Sequence, residues 1–289
     1  MTILVTGGTG KVGSEVVRHL LGRDVTPRVL VRDATKASLP PGAMPTTGDL
    51  TDVGSLRAAF KGIDTLFLLN AAVPDEVTQA LTALNLAQEA GIERLVYLST
   101  LSANLMPEVP HVASKSTVER AIAALNFQAS VLNTTYFMQN DLALKEAIAF
   151  GGVYPMPIGD VGVAVIDVRD LGEVAAHELM RRDSAPNPLP ARQITVCGPE
   201  TLTGPALAAR WANEIGRPVA YAGDDLNAFE TGFRSQGAPS WLAYELRLMF
   251  RAMQKHGQSE EGAAKRVEEI LGRPLRTYAA FVHEAAASW

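Results

Sequence analysis

Four glycines fall within the eight residues Thr6 to Gly13, TGGTGKVG, directly after the apolar run Ile3-Leu4-Val5 and directly before a segment with helical periodicity. Gly7, Gly10 and Gly13 fit G-x-x-G-x-x-G, a variant of the dinucleotide fingerprint, and each position has a mechanical reason to lack a Cβ. Gly7 permits the tight turn out of the strand, Gly10 lets backbone amides approach a pyrophosphate, and Gly13 lets the helix pack close to the sheet. The diphosphate would sit at the positive N-terminus of that helix. Glycine-rich turns after strands are common in themselves, and the weight here comes from the order strand, turn, helix.

Short β-branched or leucine-rich runs then alternate with helical patterns, the sign of βαβ units and a parallel sheet. Strands are expected at Thr2 to Val5, Arg28 to Val31, Thr65 to Leu69, Arg94 to Leu98 and Ser130 to Thr134, with a shorter one before Gly48. Helices are expected at Val12 to Leu21, Ser55 to Phe60, Asp75 to Ala90 and Ser114 to Leu125. Asp75 can cap the third and Gly91 can end it. After about Gly151 the texture changes to the turn-rich GGVYPMPIGD, then the proline-rich SAPNPLPARQ, and helical segments follow to the end. The expected fold is α/β: a Rossmann-type doubly wound parallel sheet with a smaller, mainly helical C-terminal substrate region. Residues 1–150 would form the NADP-binding domain, rejoined by a segment at about 167–182, and residues 151–289 mostly the substrate-binding region.

Composition narrows the setting. The chain has 289 residues, a formal charge of −5 and one cysteine, enough for a substantial core in one domain or two coupled ones. Cys197 has no intrachain partner for a disulfide and reads as a small buried apolar residue rather than a nucleophile. MTILVTGG has no basic n-region, and no window is long and apolar enough to span a membrane. Slight acidity without a basic run argues against nucleic acid as the main partner. A cytoplasmic setting is expected. The five histidines form no H-E-x-x-H, so no metal site is expected.

The second strand ends VLVRDATK, where an acid about twenty residues past the glycines holds the ribose hydroxyls in NAD-binding proteins. Asp33 sits near that distance, yet Arg32 takes the first position after the apolar run. A guanidinium there can pair with a 2′-phosphate, and Lys36 follows one helical turn later. NADP(H) is the preferred cofactor and NAD(H) the alternative; a solvated polar loop is the plainer reading of the same residues.

ILVTGGTGKVG, VLVRDATKA, TGDLTDVGSLRAAFKGIDTLFLL, TTYFMQN, VIDVRDLGEVA and GRPLRTYAAFVHEAAASW together resemble the atypical short-chain dehydrogenases/reductases of the NmrA-like family, over nearly the whole chain. The resemblance implies a Rossmann domain with a smaller C-terminal substrate region. Members include NAD(P)H-dependent quinone and dye reductases, and also regulators that bind the dinucleotide without turning it over. Carried over position by position, it implies that Gly7, Thr9, Gly10, Lys11 and Val12, with Gly13 behind them, line the pyrophosphate. Arg32 and Lys36 would reach the 2′-phosphate, Asp49 and Leu50 border the adenine, and Asn70 and Ala71 lie by the ribose. Asp49 and Asn70 read equally well as turn or cap residues. Asn133 and Thr134 stand where the family usually has Arg-Pro.

Classical short-chain dehydrogenases use Ser and Tyr-x-x-x-Lys, the tyrosine supplying the proton that accompanies hydride transfer. Here the matching stretch is HVASK, with His111 in the tyrosine's place and Lys115 four residues on, while Ser99 ends LVYLS in the serine's place. An imidazole side chain can serve as a proton donor near neutral pH, which would suit His111 to the tyrosine's task; it can equally be a helix-start residue after Pro110. Lys115 reads as a cofactor contact or a surface lysine, and Ser99 as a site residue or a strand-end cap.

The acceptor pocket is expected to take walls from Tyr136, Phe137, Met138, Asn140, Tyr154 and Trp241, a lining suited to a flat apolar ligand, although such residues are more often core. Leu242, Leu246, Met249, Phe250 and Met253 recur at helical spacing, as a packing face, lid or dimer contact would. The expected function is an NAD(P)H-dependent reductase passing hydride to a small, quinonoid or aromatic acceptor, acting as a monomer or homodimer. The alternative is a non-catalytic NADP(H) sensor acting through a regulatory protein partner.

Overall fold

The computed structural model describes residues 2–101, 103 and 106–289. In chain order, Ile3–Val5 is β1, Lys11–Leu21 α1, Arg28–Val31 β2, Met44–Thr47 β3, Val53–Ala59 α2, Thr65–Leu68 β4, Glu76–Glu89 α3, Arg94–Thr100 β5, Pro110–Ala124 α4 and Gln128–Thr134 β6. A 3-10 turn, Met138–Leu144, and a π-helical turn, Glu146–Phe150, lead to β7 (Val153–Tyr154), α5 (Val168–Asp183), β8 (Arg192–Val196), α6 (Gly204–Ile215) and β9 (Ala220–Tyr221). Four helices close the chain: α7 (Leu226–Ser235), α8 (Ser240–His256), α9 (Ala263–Leu271) and α10 (Tyr278–Ala287).

Seven strands form one sheet in the order β3-β2-β1-β4-β5-β6-β8. The pairings β1 with β2 and β4, β2 with β3, β4 with β5 and β5 with β6 are all parallel. All side chains of β1 and β4 are buried, as strands covered on both faces must be, which is why ILV and TLFL carry no polar alternation. Strand order reverses between β1 and β4, so the crevice of an open α/β sheet lies above their C-terminal ends. Leu4, Leu66, Leu68, Leu84, Leu95 and Tyr97 share one core under α2, α3 and α4.

The chain divides into two compact units: Met1–Ala103, His111–Thr134 and Val168–Thr195 make the first, and Asn104–Pro110, Thr135–Asp167 and Val196–Trp289 the second. The crossover therefore comes at the end of β6, not near residue 150: residues 135–150 pack with the second unit, because the chain turns away from the sheet directly after its sixth strand. The second unit has its own core around Tyr154, Trp211, Phe250 and Phe281, and a two-stranded sheet of β7 and β9. Phe250 and Met253 of α8 lie in that core, with Leu246 and Met249 packed against it, so the apolar stripe of this helix serves packing within its unit. Among the described residues no helix is long and apolar enough to cross a membrane.

Candidate active site

The glycine turn is built as a backbone surface. Gly7 has φ +65°, and a Cβ there would meet the Leu69 side chain at 3.0 Å, so both conformation and space demand glycine. Gly10 donates its N–H to the Gly7 carbonyl at 3.0 Å and is itself exposed, as is Thr9. Gly13 differs from the expectation that it lets the helix meet the sheet. A Cβ there would lie 2.1 Å from the Gly7 carbonyl oxygen, whereas it is Gly8 that fits against the sheet, with Val29 of β2 2.4 Å from its would-be Cβ. Thr6, not singled out from sequence, pins the turn to the next strand: its hydroxyl donates to the Leu69 carbonyl at 2.9 Å and accepts from the Leu69 N–H at 2.8 Å.

That turn opens onto α1, which has no side-chain cap and no acidic residue in its first turn. Uncapped first-turn amides with the helix's partial positive charge behind them make an anion site. Lys11 adds an exposed cation there, and Val12 is buried beneath. Asn70 follows Leu69 at the end of β4, only 3 % exposed, and neither its amide nitrogen nor its amide oxygen has a partner. A buried amide with both groups unmet is costly, and beside a glycine turn it is the arrangement a polar ligand completes. The residues present therefore fit a dinucleotide. Ala71, next in the chain, is exposed.

At the ends of β2 and β3 the polar groups divide by partner. Asp33 is tied into its own turn, its Oδ1 accepting from the Thr35 N–H at 2.9 Å and the Thr35 hydroxyl at 2.6 Å. Lys36 reaches its other oxygen at 3.2 Å. These bonds, the Thr35 hydroxyl first, hold the Asp33 carboxyl below the usual carboxylate range. Arg32 is exposed and makes no ion pair among the described residues. Asp49 is likewise a turn residue, its Oδ1 accepting from the N–H and hydroxyl of Thr51 at 2.8 and 2.7 Å. The helix that follows is capped by Asp52, which accepts from the Ser55 N–H. Leu50 is half-buried against the sheet core.

His111 and Lys115 come together through a residue the sequence reading did not single out. Glu76, the first residue of α3, places Oε2 2.6 Å from His111 Nδ1 and Oε1 2.8 Å from Lys115 Nζ. Glu76 is 3 % and Lys115 4 % exposed. Burial pushes the Glu76 carboxyl up, but the His111 hydrogen bond and the Lys115 charge outweigh it and hold the group below its ordinary value. Lys115 Nζ also lies 5.4 Å from the centre of the Tyr97 ring, and burial, then the Glu76 and Glu119 charges, keep the Tyr97 hydroxyl protonated. Ser99 stands apart from this pair: it is buried, and its hydroxyl donates to Glu119. No sequence signal marked Glu76, since an acid in the first turn of a helix is ordinary.

In the second unit, Phe137 and Asn140 are half-buried and Trp241 is exposed, while Tyr136 is 9 % exposed. Three residues expected as pocket walls are instead packed inside: Tyr136, Met138 and Tyr154 lie in the core of the unit. The Tyr154 hydroxyl donates to the buried carboxylate of Asp141 at 3.1 Å, to which Tyr278 also donates at 2.5 Å. Tyr154 is thus bound to a buried polar centre, which fixes its ring inward.

The family model described as the NmrA-like family matches residues 1–281. The chain is 31% identical over 291 residues to the NAD(P)H azoreductase of Xenophilus azovorans, covering 99% of each chain. Among solved structures, it is similar to the NADPH-dependent quinone oxidoreductase of Escherichia coli complexed with NADPH, with a TM-score of 0.85, 24% identity, and 98% and 99% of the two chains covered. It is equally similar to the Citrobacter sp. triphenylmethane reductase complexed with NADP(H), with a TM-score of 0.85, 21% identity, and 98% and 100% covered. Its glycine turn, strand order and full-length match agree: the chain belongs to the NmrA-like family.

Proposed function

We propose that the chain is an NAD(P)H-dependent reductase that passes hydride to a small quinonoid or aromatic acceptor. The observation that carries this reading is Asn70, a buried amide without partners beside an uncapped helix end, in a family whose relatives include an NAD(P)H azoreductase and a quinone oxidoreductase. Bound NADPH supplies the hydride. The first-turn amides of α1 and the Gly7–Gly10 backbone hold the pyrophosphate, Asn70 and Ala71 border the ribose, and Asp49 and Leu50 border the adenine. Arg32, unpaired at the end of β2, takes the 2′-phosphate with Lys36 beside it, since a guanidinium matches phosphate geometry.

Lys115 lies on the cofactor side, and His111 supplies the proton that follows the hydride. Ser99 serves the scaffold through Glu119. Phe137 and Trp241 offer flat apolar surfaces for an aromatic acceptor, and Asn140 offers an amide. The test is oxidation of NADPH by purified protein with a panel of quinones and azo dyes. Turnover of at least one class is expected. Tight NADPH binding with no turnover of any would favour the sensor reading over this one.

A further inference from the structure

Glu76 ends the β4–α3 loop that begins at Asn70, and it reaches across to the first two turns of α4. A buried carboxylate is costly unless it is paired and hydrogen-bonded, and here each oxygen has its own cationic partner: Oε1 faces Lys115 Nζ at 2.8 Å and Oε2 faces His111 Nδ1 at 2.6 Å. His111 and Lys115 lie four residues apart on one helix face, so one fixed carboxylate sets both. The two differ in access, for the Lys115 side chain is 4 % exposed and that of His111 27 %.

An ionised carboxylate only accepts hydrogen bonds. Nδ1 of His111 must therefore carry hydrogen whether the ring is neutral or cationic, and proton exchange is confined to Nε2. We propose that Glu76 is the positioning residue for proton delivery: it fixes His111 in the Nδ1–H tautomer and makes Nε2 the nitrogen that hands over the proton, while Lys115 keeps Glu76 ionised. In the reaction, the acceptor gains hydride as a C–H bond of the dihydronicotinamide breaks. The anion so formed takes the proton from Nε2, and water returns a proton to the ring.

The other titratable groups around the cluster do not compete for this role. Tyr97 of β5 stays protonated at working pH. Glu119, four residues past Lys115 on α4, is raised by burial despite the Ser99 hydrogen bond and the Lys115 charge, and it is bonded to Ser99 rather than to the ring.

The kinetic part of this proposal rests on the reductase reading; the tautomer does not, and the experiment separates them. Nitrogen-15 NMR of the side chains in apo protein, with His111 assigned from a His111→Ala variant, should show neutral His111 as Nδ1–H. Glu76→Gln should shift the neutral ring toward the Nε2–H tautomer, since an amide can donate to Nδ1 as well as accept from it. The kcat should fall with it, and Glu76→Gln should cost nothing further in a His111→Ala background. A neutral Nε2–H tautomer in the wild-type protein would overturn the proposal, and this reading stands even where Glu76→Gln fails to fold. An unchanged tautomer in Glu76→Gln, or a loss additive with His111→Ala, would also overturn it. The expected tautomer with no turnover by any acceptor would count against the reductase reading instead.

Discussion

Glu76 and Glu178 are both buried acids of the sheet-bearing unit, and their partners give them opposite characters. Glu178 accepts from Ser130 at 2.6 Å, from both donor nitrogens of Arg181 at 3.0 Å, and from Arg192. Beside it, buried Arg182 donates to Ser130 at 2.6 Å and to the carbonyls of Gln128, Leu189 and Pro190 at 2.9 Å. Burial lowers Arg182 to about 10, still charged at neutral pH, so around neutrality this cluster is a fixed clamp between α5, the start of β6 and the segment leading to β8. Glu76 instead holds one lysine and one histidine, and that histidine, 27 % exposed, is in direct contact at 2.6 Å, whereas the exposed His177 stays 3.7 Å from Glu178. A buried charge alone does not mark a functional site; a solvent-reaching histidine within hydrogen-bond distance of it does.

The largest expected effect breaks the clamp. Arg182→Met strands three buried carbonyls and Ser130, and should cost about 3–5 kcal/mol in urea unfolding with NADPH affinity unchanged while the protein remains folded. Acid should weaken the same cluster. Burial pushes the Glu178 carboxyl up, but the nearby His177 and hydrogen bonds from Arg181, Arg192 and Ser130 win and hold it far below the carboxylate range. A depressed folded value means that stabilisation is complete above the unfolded value of about 4.3 and is lost as pH falls from there toward the folded one. The stability gap between the wild-type protein and Glu178→Gln should therefore be widest near neutral pH and narrow below pH ~4.3; a constant gap would remove Glu178 from the acid response.

Next in size comes the proton donor. His111→Ala should lower kcat by about 10²-fold, the low end for general acid catalysis because water can replace the donor, with NADPH affinity preserved. Unaltered turnover would take His111 out of the mechanism. Arg32→Ala should weaken NADPH by about 1.5–3 kcal/mol and leave NADH nearly unchanged, and equal losses for both would reject the 2′-phosphate role. The smallest shift belongs to Asn70→Ala, about 1 kcal/mol in binding of either dinucleotide. Apo stability should not fall in that variant, since the amide it removes has no partner to lose.

The sheet was legible because central parallel strands must be continuously apolar: Arg28 to Val31 is found at those residues, and β1 and β4 differ from expectation by one residue at an end. The helix over Ser114 to Leu125 starts four residues earlier, at Pro110, since proline suits a first helical turn. The second unit's early start after Thr134 left no mark, because β6 ends without a glycine or proline to signal it. The glycine turn announced itself through backbone constraints, yet the sheet-packing role that spacing suggested for Gly13 falls to Gly8, to which no role was given. Glu76 was hidden because pairing it with His111 and Lys115 spans 35 and 39 residues and needs the tertiary fold to bring two helix starts together. Tyr136, Met138 and Tyr154 misled because aromatic and methionine residues near a site have the same composition as a core.

Calorimetric titration of the purified protein with NADPH and with NADH tests the central claim most directly, that an open glycine turn, an unmet Asn70 and an unpaired Arg32 form a dinucleotide site. The account predicts saturable one-site binding, with NADPH tighter by about the 1.5–3 kcal/mol assigned to Arg32. Absence of binding by both nucleotides would contradict it.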